Sequence, residues 1–226
     1  DLPEGSFLMG SYDGSTNEQP VHLVTLDAFW MDQTEVTNSM YALCVADEAC
    51  SAPHRSDSYT RDGYYGALAY ADYPVIYVSW FEAEAYCTWA GRELPTEAQW
   101  EYAARGGVTG TTYPWGEEID CSRANYNNRS NLCVGDTSAV ASYAANGYGL
   151  FDMAGNVWEW VADWHGPYTS TETKNPSGPA SGTHRVLRGS SWDYFGQYLA
   201  VAYRYSLSPV NYAKNFGLRC VELPER

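Results

Sequence analysis

The sequence predicts an α+β fold with few helices, short strands and long ordered loops. Three observations predict it. Two segments, Ser79-Trp80-Phe81-Glu82 and Thr96-Glu97-Ala98-Gln99, carry the hydroxyl-x-x-acid/amide signature in which side chain and backbone cap each other at a helix start. Residues 21–32 alternate and are β-branched, as strands require. Between and after these segments the chain is rich in Gly, Asn, Ser and Tyr, the composition of loops that carry function on a scaffold.

In chain order, LPEGSFLMG at the start reads as a first strand and VHLVTLDAFWMD as the strands that follow. Thr37 offers an N-cap for a helix through about Ala46. The helix opened by Ser79 places Phe81, Ala85 and Trp89 on one face and closes at Gly91. The helix opened by Thr96 runs through Arg105 and closes at Gly106-Gly107. Short strands are expected at 157–164, 185–188 and 216–221. There is no internal repeat, low-complexity tract or linker that would separate domains, so one domain over 1–226 is expected. Loops longer than about 15 residues need a bound ion, a crosslink or a function to hold them.

Net charge is −15, from 13 Lys and Arg against 28 Asp and Glu. Thirteen scattered cations supply no basic face for a phosphate backbone, so nucleic acid is excluded as a partner. No apolar run approaches the roughly 18 residues of a membrane span. The chain opens at Asp1 without the character of a signal peptide. Six cysteines occur with no CxxC pair. Their even number points to disulfides and an oxidising compartment, against a competing reading as buried thiols of a cytosolic protein. Proximity favours Cys44 with Cys50 and Cys121 with Cys133.

Familiar catalytic patterns are missing. His22, His54, His165 and His184 show no spacing that sets two on one metal, and there is no nucleophile elbow or P-loop. His165 reads as a surface histidine, and the pair Glu117-Glu118 as solvated loop residues.

Several segments nevertheless resemble the formylglycine-generating-enzyme (sulfatase-modifying factor) family, in that family's order. They are GSFLMGS (5–11), TEVTNSMY (34–41), YPVIYVSWFEAEAYCTWAGRELPTEAQWEYAARGG (73–107), YPWG (113–116), NGYGLFDMAGNVWEWVADW (146–164), HRVLRGSSW (184–192) and FGLRC (216–220). The resemblance covers almost the whole chain and implies that family's variant of the C-type lectin fold. It implies a Cys87–Cys220 bond, since family members commonly tie the AYCxWAG helix to the last strand. It also implies two calcium sites. The inner one takes the side chains of Asp152 and Glu159 with the carbonyls of Gly155 and Val157. The second takes the side chains of Asn125 and Asp136 with the carbonyls of Tyr126 and Ser138. A hard cation needs several converging oxygens, which a Gly-rich turn can supply. Turn-capping by the same carboxylates and amides is the structural alternative.

The departure lies between the last two motifs. The family's oxidases place two copper-binding cysteines there, and counting back from Cys220 puts those positions near Ser191-Trp192 and at Gly196. Neither is a thiol, and a hydroxyl is a poor ligand for a soft metal and a weak nucleophile. No copper chemistry is expected. Residues 193–215 instead hold Asp193, Tyr194, Phe195, Tyr198, Tyr203, Tyr205, Leu207, Val210 and Tyr212 among small residues, the composition of adaptable binding loops. Some of these tyrosines belong to the core on a purely structural reading. The segment is also similar to the variable region of diversity-generating retroelement proteins, which use this scaffold and vary between an RGGSW-like start and a GFRC-like end. Tyr, Asp, Phe, Ser, Ala, Val, Leu and Gly all arise by substituting template adenines in Asn codons; Gln197 and Lys214 do not. The resemblance implies a non-enzymatic display domain, extracellular or on the surface of a cell or phage, prokaryotic or viral, with a protein or glycan as ligand. The alternatives are an enzyme or accessory protein of the same superfamily with other chemistry, and a structural extracellular module.

Overall fold

The computed structural model describes residues 1–224. Alternation in the first two runs produces a hairpin-like pair, β1 (Gly5–Met9) antiparallel to β2 (His22–Leu26), with Phe7, Met9, Val24 and Leu26 facing inward. A short strand β5 (Thr173–Lys174) adds to β2 in parallel. The second sheet pairs β3 (Trp30–Met31) with β9 (Val221–Glu222). The third has the order β7-β6-β4-β8, built from β4 (Trp158–Trp164), β6 (Arg185–Arg188), β7 (Tyr205–Leu207) and β8 (Phe216–Gly217).

Three helices pack on these sheets. Thr37 caps α1 (Asn38–Ala46) by accepting from the Met40 amide. Ser79 and Glu82 form the expected reciprocal box on α2 (Trp80–Trp89), and Thr96 and Gln99 do so on α3 (Glu97–Arg105), which ends with Gly106 left-handed. Every residue of α3 is buried, so its polar positions must be paired inside the protein. The buried positions of α2 are Trp80, Ala83, Tyr86 and Cys87. Phe81, on the face that the sequence pattern singles out, is 51% exposed.

One expected strand, 216–221, divides in two. β8 runs parallel to β4, and β9 crosses to β3 in the other sheet. The break is chemical: between them Arg219 turns inward to Glu159, and the Cys220 amide and carbonyl bond to Asp32. The crossing is pinned by Cys87–Cys220, and Cys44–Cys50 and Cys121–Cys133 close two short loops.

Two main apolar cores result. One gathers the β1–β2 pair against Trp100 and Tyr102 of α3. The other surrounds Trp158 and Trp160 of β4 and contains the Cys44–Cys50 and Cys87–Cys220 bonds. Between the elements run ion pairs removed from water. Arg188 reaches Glu101 at 2.6 Å, Arg105 reaches the same carboxylate at 2.6 Å, and Arg204 holds Glu97 at 2.6 Å.

Candidate functional site

The thiol-free stretch begins where β6 ends and folds back over Trp158. Tyr194 meets the Trp158 ring edge-on at 5.3 Å, Tyr205 lies at 5.3 Å and Tyr203 at 6.0 Å. Tyr198 completes the group, T-shaped against Tyr203 at 5.1 Å and against Tyr194 at 5.8 Å. Offset and edge-on contacts of this kind add stabilisation beyond area burial. The four tyrosines are half-buried: Tyr194, Tyr203 and Tyr205 pack on the buried Trp158 indole, and Tyr198 packs on Tyr194 and Tyr203. Burial pushes the Tyr194 phenol up to about 12, so it stays protonated and able to donate.

The remaining candidates divide. Phe195, Val210 and Tyr212 are exposed, at 39%, 62% and 45%. Phe195 lies under the Arg129 guanidinium at 5.2 Å, and Arg129 also bonds Gln197. Tyr212 stacks flat on His54, with ring centroids 3.7 Å apart, and the His54 ring pairs with Glu82. Leu207 is half-buried against the Trp158 core. Asp193 is not a free charge: its carboxylate accepts from Ser191 and Asn215 and pairs with Lys214 at 3.3 Å. Lys214 also sits 4.0 Å over Tyr59. The structure therefore brings the tyrosines into one cluster and leaves Val210 and Tyr212 on a separate loop beside His54. Lys214, Tyr59 and Arg129 belong to this surface, Trp158 lies buried beneath it, and none of the four was among the sequence candidates. Only a fold that crosses distant segments puts them there.

Next to the cluster a groove of about 400 Å³ runs between Tyr198 and Tyr203 on one side and the Ser11–Glu18 segment on the other. The positions that the family resemblance equates with the oxidases' cysteines are packed inside the protein. Ser191 and Trp192 are fully buried, with Ser191 donating to Asp193, and Gly196 packs on Tyr126 and Ile119. All six cysteines are in disulfides.

The two oxygen-rich sets differ. In the inner set Glu159 is fully buried and held by Arg219 through both oxygens, with Trp100 donating as well. Asp152, however, uses only Oδ2, on the Ala141 amide, while Oδ1 is buried without a donor. Glu35, fully buried and within electrostatic reach of Asp152, likewise keeps Oε1 without a donor. Burial pushes Asp152 up to about 6, and burial followed by the charge of Asp152 drives Glu35 well above the ordinary carboxylate range. Gly155 has φ +89° and lies so close to the Asn125 carbonyl that a Cβ would come within 2.4 Å of it. Asp152 Oδ1 and Glu35 Oε1 are acceptors of the kind a hard cation takes, but no group of three or more acidic, His or Cys side chains able to hold a metal gathers among the described residues, and Glu159, expected as a ligand, is occupied by Arg219. Glu35 was legible only as part of the TEVT motif.

The second set fits a hard cation less well. Asp136 already accepts from Ser58, from the amide and hydroxyl of Thr60 and from the Thr137 amide, with Arg61 at 3.6 Å. Asn125 Oδ1 is the one side-chain oxygen there without a donor. The Asn125 carbonyl accepts from the Asn156 amide, the Tyr126 carbonyl from the Cys133 amide, and the Ser138 carbonyl from the Asn156 side chain.

Residues 1–223 match the sulfatase-modifying factor enzyme 1-like domain. The chain belongs to that family. The formylglycine-generating enzyme of Streptomyces coelicolor is 37% identical over 97% of this chain and 87% of its own length. The serine/threonine-protein kinase pkn1 of Chlamydia caviae is 39% identical over 96% of this chain, which spans only 37% of that protein. Among solved structures, Treponema denticola variable protein 1 matches with a TM-score of 0.81 and 27% identity, covering 99% of this chain and 94% of that one. The sulfatase-modifying-factor domain here has the formylglycine-generating-enzyme type of C-type lectin fold, α+β throughout, with its variable-protein likeness extending over the whole chain.

Proposed function

We propose that this domain is a non-enzymatic display module that binds a protein or glycan ligand through its C-terminal aromatic surface, and that residues 193–215 are its diversified region. The observation that carries this reading is the tyrosine cluster on Trp158. The buried Trp158 indole preorganises Tyr194, Tyr203 and Tyr205, Tyr198 packs on that group, and Tyr198 and Tyr203 line the open groove. Rigid aromatic anchors lose little freedom on binding, which is what a binding surface of few hot spots requires. The likeness to a variable protein supports the same reading. Three disulfides, and the absence among the described residues of any helix long and apolar enough to cross a membrane, are consistent with an extracellular setting. One calcium ion, held at Asp152 and Glu35 with the Gly155 and Val157 carbonyls, would brace the loop beneath this surface.

The test is sequencing of the gene across a population. Variation is expected at Tyr194, Phe195, Tyr198, Tyr203 and Tyr205, and constancy at Gln197, Lys214 and Trp158. Uniform sequence, or change spread evenly over the domain, would overturn diversification. An enzymatic reading draws on the names of the curated relatives. Copper-dependent oxidation of a thiol peptide by the purified domain would establish it and end the display proposal.

A further inference from the structure

A second cavity, of about 380 Å³, opens between β4, α3 and the loop after β4. Of the thiol-free stretch it touches only Arg204. On its floor lies Asp163, 5% exposed. Asp163 Oδ2 accepts from the Glu97 amide at 2.7 Å. Oδ1 faces Gly178, whose backbone leaves only 2.8 Å between that oxygen and the place a Cβ would occupy. No donor among the described residues bonds Oδ1.

The cations nearby are engaged elsewhere. Arg204 holds both oxygens of Glu97 and the carbonyls of Asn17 and Gly166. Arg185 bonds the Ala162 carbonyl and lies between the Trp80 and Trp164 rings. Burial, then the charge of Arg204, holds His165 below its ordinary value, so it brings no charge at neutral pH. Asp163 is thus a buried carboxyl with one oxygen to spare and no dedicated counter-ion. The walls beside it are apolar: Trp164, Tyr168, Pro176 and Pro179.

We infer that this cavity binds a primary ammonium on a slim unbranched apolar stem, the chemistry of a lysine side chain, with the ammonium on Asp163 Oδ1. A single free oxygen suits a compact point charge better than a guanidinium, which pairs through two, or a metal ion, which needs several. The proline and aromatic walls would cover the stem. This reading is independent of the display proposal.

The test is a titration of the domain with n-butylammonium followed by amide and indole NMR, with 1-pentanol as the neutral control. The Trp164 indole and Gly178 amide should shift and saturate with the amine and respond far less to the alcohol. Asp163→Asn should weaken binding by about tenfold or more, because a desolvated charge loses its partner. Thr169→Trp, at the exposed rim, should block entry with Asp163 intact, and it keeps the test valid if Asp163→Asn fails to fold. Equal binding of the alcohol, undiminished binding by Asp163→Asn, or no saturable shift at these residues in the unmodified protein would overturn the inference.

Discussion

Arg219 and Glu159 are both fully shielded from water and joined through two hydrogen bonds of 2.8 Å. Removing one charge strands the other, so Glu159→Gln should cost about 3–5 kcal/mol of stability, read from urea denaturation. A change under about 1 kcal/mol would mean that Trp100 and the surrounding carbonyls already suffice. Asp163 poses the opposite problem, because burial pushes its carboxyl up to about 7 from 3.8. A carboxyl with a raised folded value binds its proton more tightly in the native state. Its contribution to stability is therefore greatest below about 4, is lost as pH climbs from about 4 to 7, and is constant above. Asp163→Asn should remove that slope and gain about 3 kcal/mol on the unmodified protein between pH 4.5 and pH 8. Parallel denaturation curves at the two pH values would contradict the assignment.

At the scale of elements, the helices are specified locally and their anchoring is not. Thr96 and Gln99 satisfy each other's backbone amides at the start of α3, so Thr96→Ala should lower stability by about 1 kcal/mol. Cys87–Cys220 joins α2 to the segment between β8 and β9 across 133 residues of sequence. Replacing both cysteines by serine should cost about 2–5 kcal/mol, because the unfolded chain regains a long loop's freedom. The same pair in Cys44–Cys50 closes a six-residue separation and should cost less. Thermal unfolding of the two variants compares them directly.

For the whole molecule, the proposed ion and the aromatic surface are separable. Calcium bound at Asp152 and Glu35 adds stability by mass action, about 2.7 kcal/mol at a hundredfold excess over Kd. The melting temperature should rise with calcium, fall with a chelator, and lose that dependence in Asp152→Asn. A melting temperature indifferent to calcium in the unmodified domain would remove the ion from the account. Phe195 and Tyr212 are exposed, whereas Tyr194 and Tyr205 lean on Trp158. Ligand capture should therefore fall in Phe195→Ala with stability held, while Tyr194→Ala should lose both.

By itself the sequence determined the elements with local causes. The capping boxes of α2 and α3, the alternation of β1 and β2, and the two short disulfide loops each depend on residues a few positions apart. Resemblance to a family extended that to the overall fold and drew attention to the absence of cysteine at Ser191, Trp192 and Gly196. Tertiary structure alone decided which groups are free to act, since that depends on partners brought from far away in the chain. Arg219 occupies Glu159, Lys214 neutralises Asp193, and Glu35 arrives beside Asp152 from 117 positions upstream. The sequence left open which tyrosines are surface and which are core; Tyr194, Tyr198, Tyr203 and Tyr205 pack into the cluster on Trp158 while Tyr212 stays apart on His54, because a ring in the cluster is stabilised by edge contacts that no pattern of spacing encodes.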